Sequence, residues 1–371
     1  MTHKPETLTD AYWMQHALEL AAKGEGLTRP NPPVGAVVVR DGAIVGEGFH
    51  PRAGQPHAEI FALQEAGKAA CGATLYVTLE PCSTHGRTPP CTEAIITAGV
   101  RRVVYGCVDP NPRHAGRADR ILRRGGIEVT RPVLEDACRT IIRPFATRML
   151  EKRPFLTIKL ACSLDGRIAD RQGRSKWITG KAARGAVQEL RRAVDAIMVG
   201  AETVRRDDPS LLPRPALGRM PWRVIVAGRN RLPLQAKVFR DQAANRTIVM
   251  VPVDFPQRDQ LMARGIECVT IPMSAGHLSM KAVLRELARR GCLHVCCEGG
   301  GVLAQSLLKT GWVDQLWMMY APMLLGDAAT PAIAGSGWQL NRAPSYTIRH
   351  IEPLGQDVLL VAEPQSKRRK G

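Results

Sequence analysis

No long apolar run exists in this 371-residue chain. Its start, MTHKPETLTD, lacks the apolar core of a secretory leader, and its greasiest stretch, Leu316 to Leu325, is interrupted by Pro322. A membrane helix needs about 20 consecutive apolar residues, so the expectation is a soluble, cytoplasmic protein with no membrane partner. Regular cysteine spacing is also missing. In that compartment the ten cysteines are expected to serve as thiols and metal ligands rather than as a disulfide framework, with adjacent Cys296 and Cys297 simply buried. Nothing in the composition marks disorder: 44% of residues are hydrophobic and 23% charged, as in ordinary globular proteins. At this length two domains are expected, each with its own core.

The charge is lopsided. Residues 1–150 carry 18 Lys and Arg against 15 Asp and Glu, whereas the remainder carries 34 against 19, within a total of +18. The first part is nearly neutral. The basic excess of the second suits a phosphorylated small molecule or a dinucleotide as well as it suits nucleic acid. The tail Lys367 to Lys370 (KRRK) reads as a solvated end.

What the chain does have is a cluster of metal-ligand residue types between His57 and Cys91: PHAE at Pro56 to Glu59, then TLEPCSTHGRTPPC from Thr78. One histidine and two cysteines suit zinc, and three protein ligands leave the fourth tetrahedral position open, as catalytic zinc sites do. Glu59, two residues from His57, is free to carry protons. H-x-E followed by paired cysteines is the pattern of zinc nucleobase deaminases, whose cysteines are usually two residues apart. Here eight residues separate Cys82 from Cys91, and the insert STHGRTPP is too rich in Gly and Pro for helix or strand. A purely structural zinc loop would need a fourth ligand, and His85 is the only nearby candidate.

The coarse pattern is α/β in both halves. A helix capped at Thr9 or Asp10 runs to Gly24, and two strands, Val34–Val39 and Ala43–Gly48, join at Asp41-Gly42, a hairpin signal. A helix with Pro56, His57 and Glu59 in its first turn runs to Gly67; strand Ala73–Leu79 and a helix from Cys91 bring the two thiols together. Alternating elements continue to Thr130, and the domain is expected to end near Arg153-Pro154. In the second half strands are expected at Phe155–Leu160, Ala196–Ala201, Arg223–Val226, Thr247–Val251, Cys268–Ile271 and Leu293–Cys297. ETVRRDDPSLLPR reads as a polar loop. The turn Glu298-Gly299-Gly300-Gly301, leading into a helix from Val302, can cradle a phosphate; Gly299-x-Gly301-x-x-Ala304 fits the relaxed dinucleotide fingerprint only formally.

The motifs PNPPVGAVVV, GEGFHPRAGQPHAE, TLEPCSTHGRTPPC and DPNP, then KLACSLDGRIA, SKWITG, TVRRDDPSL and EGGG, closely resemble the bifunctional deaminase-reductases of riboflavin biosynthesis, from Asp10 to Ala362. The resemblance implies a cytidine-deaminase-like zinc domain (residues 1–150), a dihydrofolate-reductase-like α/β domain (151–365) and a basic tail (366–371). It implies one zinc ion on His57, Cys82 and Cys91, Glu59 as proton shuttle, and Asn31 and His50 lining the pyrimidine pocket. It also implies NADPH contacts by Ala161, Trp177, Thr203, Asp207 and the segment Gly300, Gly301, Val302, Leu303, Ala304 to Ser306. Substrate contacts would come from Ser175, Arg191, Leu211, Arg214 and Glu298. Asp207 would assist proton transfer in the reduction. The substrate would be a diaminopyrimidinone carrying a ribosylamino 5'-phosphate, first deaminated, then reduced from ribosyl to ribityl. Homo-oligomers would form through the reductase domain. Two positions depart from the resemblance: Thr84 stands where a histidine is usual after Cys82-Ser83, and Gly228 where a serine often follows the strand WRVIVAG. The alternatives are a nucleic-acid deaminase with an accessory basic domain, which the near-neutral zinc half and the cysteine spacing disfavour, and a non-enzymatic scaffold keeping a structural zinc.

Overall fold

The computed structural model describes residues 9–84, 89–112, 114–216 and 219–365. The expected basic tail and His85 lie outside these residues. The chain divides into two units, Met1–Lys152 and Arg153–Gly371.

The first unit opens with α1 (Asp10–Lys23), capped by the Thr9 hydroxyl, which accepts from the Tyr12 amide. The hairpin β1 (Gly35–Arg40) and β2 (Ala43–Phe49) follows. Its turn residues Asp41 and Gly42 both have positive φ, 52° and 76°, as a two-residue hairpin turn matching strand twist requires. Next come α2 (Ala58–Ala66), β3 (Thr74–Leu79), α3 (Cys91–Thr97), β4 (Arg102–Cys107), α4 (Arg117–Arg124) and β5 (Glu128–Thr130). Two short helices that the apolar pattern had not signalled, α5 (Glu135–Ile141) and α6 (Arg143–Glu151), complete the unit.

The sheet order is β2-β1-β3-β4-β5, with β1 antiparallel to both neighbours and β3, β4 and β5 parallel. Helices cover both faces: Ala58, Ala62, Ile95 and Leu122 pack on one, Trp13, Met14, Ala17 and Cys138 on the other. Coverage on both sides explains why β3 is buried along nearly its whole length rather than at alternate residues. Helix α2 lies unusually close to β2. A Cβ at Gly48 would come within 2.6 Å of Phe61 Cβ and 2.7 Å of the Ala58 carbonyl, and one at Gly46 within 2.7 Å of the Ala66 nitrogen. The helix also begins later than the sequence suggests. His57 is its N-cap, with extended backbone, and Pro56 precedes the cap instead of occupying the first turn.

The second unit runs β6 (Phe155–Ser163), β7 (Arg167–Ala169), α7 (Lys181–Ala193), β8 (Ala196–Gly200), α8 (Ala201–Asp207), β9 (Trp222–Val226), β10 (Thr247–Val251), α9 (Arg258–Met262) and β11 (Glu267–Thr270). It continues with β12 (Met273–Ser274), β13 (His277–Leu278), α10 (Met280–Arg289), β14 (His294–Cys297), α11 (Gly301–Leu308), β15 (Gln315–Ala321), β16 (Thr330–Pro331), β17 (Tyr346–Leu354) and β18 (Asp357–Pro364). Nine strands form one sheet, β11-β10-β9-β8-β14-β6-β15-β18-β17. The strands from β11 to β15 are parallel, and the hairpin β17–β18 closes one edge antiparallel. Separate apolar clusters cover the two faces, and Cys296 and Cys297 are both fully buried. One expectation is overturned: ETVRRD is not a loop but lies in the helix α8, which buries only Ala201 and Val204.

Candidate active sites

Three elements deliver the zinc-type ligands to one point. His57 caps α2, Cys82 follows the end of β3, and Cys91 is the first residue of α3. His57 Nδ1 lies 3.3 Å from Cys91 Sγ and 3.5 Å from Cys82 Sγ, and all three ligand atoms lie within 4.8 Å of one another. A tetrahedral ion at about 2.0 Å from nitrogen and about 2.3 Å from sulfur sets its N and S ligands about 3.5 Å apart, so the donor set fits zinc by both chemistry and spacing. The Cys91 amide donates to Cys82 Sγ at 3.2 Å. Hydrogen bonds from Cys91 and His57 pull the Cys82 thiol well below its ordinary value, while the bond to Cys82 raises His57 to about 9. Thiolate character at Cys82 is what a metal ligand requires. Glu59 is only 3% exposed. Burial pushes its carboxyl up, against the opposing charge of His57, and it shares a hydrogen bond with Cys91. A carboxyl with a raised pKa holds a proton more readily, as a proton carrier requires.

Asn31 and His50 meet beside this point. His50 Nδ1 lies 2.9 Å from the Pro56 carbonyl, which can only accept, so Nδ1 carries the hydrogen. Nε2 is then the acceptor for Asn31 Nδ2 at 3.0 Å, and the amide is oriented with Oδ1 free to accept from a ligand N–H. Burial lowers the His50 pKa and keeps the ring neutral. Its ring stands edge-on to His57 at 5.4 Å.

The loop after β4 is fastened to the loop carrying Cys82. The Glu80 carboxylate accepts from the amides of Asp109, Gly116 and Ala118 at 3.2, 2.9 and 3.0 Å. Asp109 accepts from the Asn111 amide at 2.7 Å, and the His114 amide donates to the Asn111 carbonyl at 2.9 Å. His114 thereby reaches Thr84, with Nδ1 3.3 Å from Oγ1. Sequence reasoning missed His114, for which the only signal was its place in the polar stretch after DPNP.

In the second unit, Ser175 donates to Asp207 Oδ1 at 2.7 Å and Lys176 to the Asp207 carbonyl at 2.6 Å. These residues line a cleft of about 480 Å³ with Gln172, Gly173, Arg174 and Arg206. The three basic side chains are not singled out by the sequence, although Lys176 and Arg206 lie inside its quoted motifs and Arg174 just before one. Trp177 is 62% exposed, with the Arg184 guanidinium 4.6 Å from its ring centre. Thr203, on α8, faces the Gly299-Gly300 turn: a Cβ on Gly300 would lie 3.6 Å from its hydroxyl oxygen. Both glycines have positive φ, 120° and 80°, and the turn opens into α11, whose first amides lie outside the intrahelical bonding. Turn and cleft therefore offer backbone donors and cations suited to a dinucleotide carrying phosphates. Of the expected contacts, Val302 is exposed, whereas Gly301, Leu303 and Ala304 are buried, and Ala161 is partly buried on β6. Arg191 and Glu298 pair with each other at 2.6 and 2.7 Å. Leu211 is buried, and exposed Arg214 accepts from Arg192 through its carbonyl.

A His-Cys-Cys cluster compatible with zinc beside a buried carboxyl, and an α/β unit with a glycine turn and a basic cleft, suit a zinc deaminase joined to a dinucleotide-dependent reductase. Residues 7–107 match the model of the cytidine and deoxycytidylate deaminase zinc-binding region, and residues 154–360 that of the RibD C-terminal domain. The chain is 43% identical to the riboflavin biosynthesis protein RibD of Synechocystis, over 95% of each chain, and 39% identical to that of Escherichia coli, over 95% of this chain and 99% of the other. Among solved structures it resembles RibD of Acinetobacter baumannii (TM-score 0.85, 40% identity) and the deaminase/reductase of Thermotoga maritima (TM-score 0.86, 38% identity), covering 96% of this chain and 99% of each of those. The chain belongs to the RibD family, the bifunctional deaminase-reductases of riboflavin biosynthesis. It is a hydrolytic deaminase with a zinc site and a reductase that uses NADPH.

Proposed function

We propose that His57, Cys82 and Cys91 hold the zinc ion and that Glu59 is the proton carrier for deamination of a diaminopyrimidinone bearing a ribosylamino 5'-phosphate. The observation that carries this reading is the convergence of the three ligands beside a buried carboxyl. Zinc, when bound, supplies Lewis acidity and eases formation of a nucleophile from water near neutral pH. Glu59 accepts the proton that water gives up and passes it on toward the ring nitrogen and the departing amino group. Water and the amino-bearing carbon thus become a carbonyl and ammonia, with the protons balanced. Asn31 Oδ1, oriented by His50, accepts from an N–H of the pyrimidine. The test is Glu59→Gln in the full-length enzyme. It should lower deamination by about 10²-fold or more while zinc content and NADPH oxidation on already deaminated substrate stay at wild-type levels. Deamination that survives the substitution would reject the assignment.

For the second unit, NADPH supplies the hydride that converts the ribosyl group to ribityl. Thr203, Asp207, Trp177, Ala161 and the segment from Gly300 to Ala304 would contact the cofactor. Ser175, Arg191, Leu211, Arg214 and Glu298 would contact or support the substrate, and Asp207, already bonded to Ser175, would handle the accompanying proton. The domains follow the two compact units, with the change near residues 150–153. A cytoplasmic location agrees with the lack, among the described residues, of any helix long and apolar enough to cross a membrane. Association through the reductase unit is supported by its edge strand β17, along which Ile348 and Ile351 are 52% and 60% exposed.

A further inference from the structure

The first unit contains a histidine that none of the assigned roles uses. Thr84 occupies a position where a histidine would follow Cys82-Ser83 by resemblance, yet an imidazole returns to that place from another part of the chain. His114, 30 residues further on, meets the Thr84 hydroxyl at 3.3 Å. The loop that carries His114 is held at fixed points: three amides on the Glu80 carboxylate, the Asn111 amide on Asp109, and the His114 amide on the Asn111 carbonyl. Such support fixes a side chain in advance of binding. Depth separates the roles. His50 and Glu59, at 1% and 3% exposure, are buried, whereas Thr84 and His114 are partly exposed. A pyrimidine whose ring edge reaches Asn31 and whose reacting carbon faces Glu59 must send its ribosylamino phosphate arm toward solvent, the side on which the less buried Thr84 and His114 lie. Among the described residues no partner is seen for His114 Nε2.

We infer that His114 is a specificity-determining residue of the deaminase site, anchored at Nδ1 by Thr84 and offering Nε2 to the phosphorylated arm of the substrate. With Thr84 donating to Nδ1, Nε2 carries the hydrogen and donates to a phosphate oxygen. This inference rests on the deaminase reading given above.

The test uses the full-length, zinc-loaded enzyme with the phosphorylated substrate and its dephosphorylated counterpart. His114→Ala should raise KM for the phosphorylated substrate about tenfold or more, as expected for loss of a hydrogen bond to a charged group, with kcat within about twofold. The dephosphorylated substrate should be affected less than about twofold, because it lacks the acceptor. Thr84→Val should reproduce part of the KM rise and Thr84→Ser little of it. Adding Thr84→His to His114→Ala should restore discrimination by returning an imidazole from the neighbouring loop. An unchanged KM for the phosphorylated substrate, an equal loss on both substrates, or loss of zinc from His114→Ala would overturn the inference. Glu59→Gln, assayed in parallel, separates the two levels. If it remains active the catalytic reading fails; if it is inactive while His114→Ala shows a flat KM, only the inference fails.

Discussion

Arg191 and Glu298 were both expected at the substrate, and each is the other's partner. Their side chains are 12% and 7% exposed, and the guanidinium grips the carboxylate with two parallel bonds while also donating to the Leu212 carbonyl at 3.0 Å. Burial works against the charge on Glu298, but Arg191 outweighs it and holds the carboxyl below its ordinary value of 4.5. A carboxyl with a depressed folded pKa stabilises the fold above its unfolded value, and the contribution is lost as pH falls through the folded value. Arg191→Met strands a buried charge and should cost roughly 3–5 kcal/mol in denaturant unfolding of the reductase unit at pH 7. The gap to wild type should narrow as pH is lowered toward 4, where Glu298 becomes protonated in the variant and its penalty disappears. A gap independent of pH would mean that lost packing, not charge, causes the destabilisation. Gly228 shows another constraint at this scale. Its φ of 57° is left-handed, so a serine there would carry backbone strain as well as a hydroxyl.

Helix α2 holds His57 and Glu59 in place only because β2 presents two glycines to it. Gly48→Val would drive side-chain atoms into Phe61 and the Ala58 carbonyl, so the helix must move away from the sheet. The expected result is a loss of bound zinc measured by metal analysis, together with a lower melting temperature, while NADPH oxidation is spared. Zinc retained at wild-type level would show that the helix can shift without opening the site. Much of this architecture was legible in the sequence, since Asp41-Gly42, the apolar run of β3 and Cys91 after two prolines each signal their local structure. The helix α8 was not, because a seven-residue element that buries just Ala201 and Val204 carries no apolar period. The strand β17 was hidden for a related reason: most of its residues are exposed on both faces, so alternation is lost. Within the sites, His57, Glu59, Cys82 and Cys91 were legible because the chemistry fixes their types. The Thr84–His114 contact was not, since it depends on β3 and β4 lying side by side.

Across the whole molecule the net charge is concentrated in the reductase half, where 34 basic residues stand against 19 acidic ones. Phosphate is common to the substrate of both reactions, but the cofactor brings further phosphates to the second alone. Electrostatic attraction of this kind weakens with salt. Raising ionic strength from about 0.05 to about 0.5 M should therefore reduce kcat/KM of NADPH oxidation more steeply than kcat/KM of deamination, measured on the same preparation. Equal slopes would place the relevant cations away from the cofactor. The Glu80 carboxylate has a different kind of consequence. It shapes the loop after β4 by gripping main-chain amides, which every residue except proline possesses. Apart from Asp109, whose carboxylate holds the Asn111 amide, side chains along that loop have little share in holding its shape. They can be exchanged by mutation while the loop stays in position, so the surroundings of Thr84 can change without disturbing His57, Cys82 and Cys91.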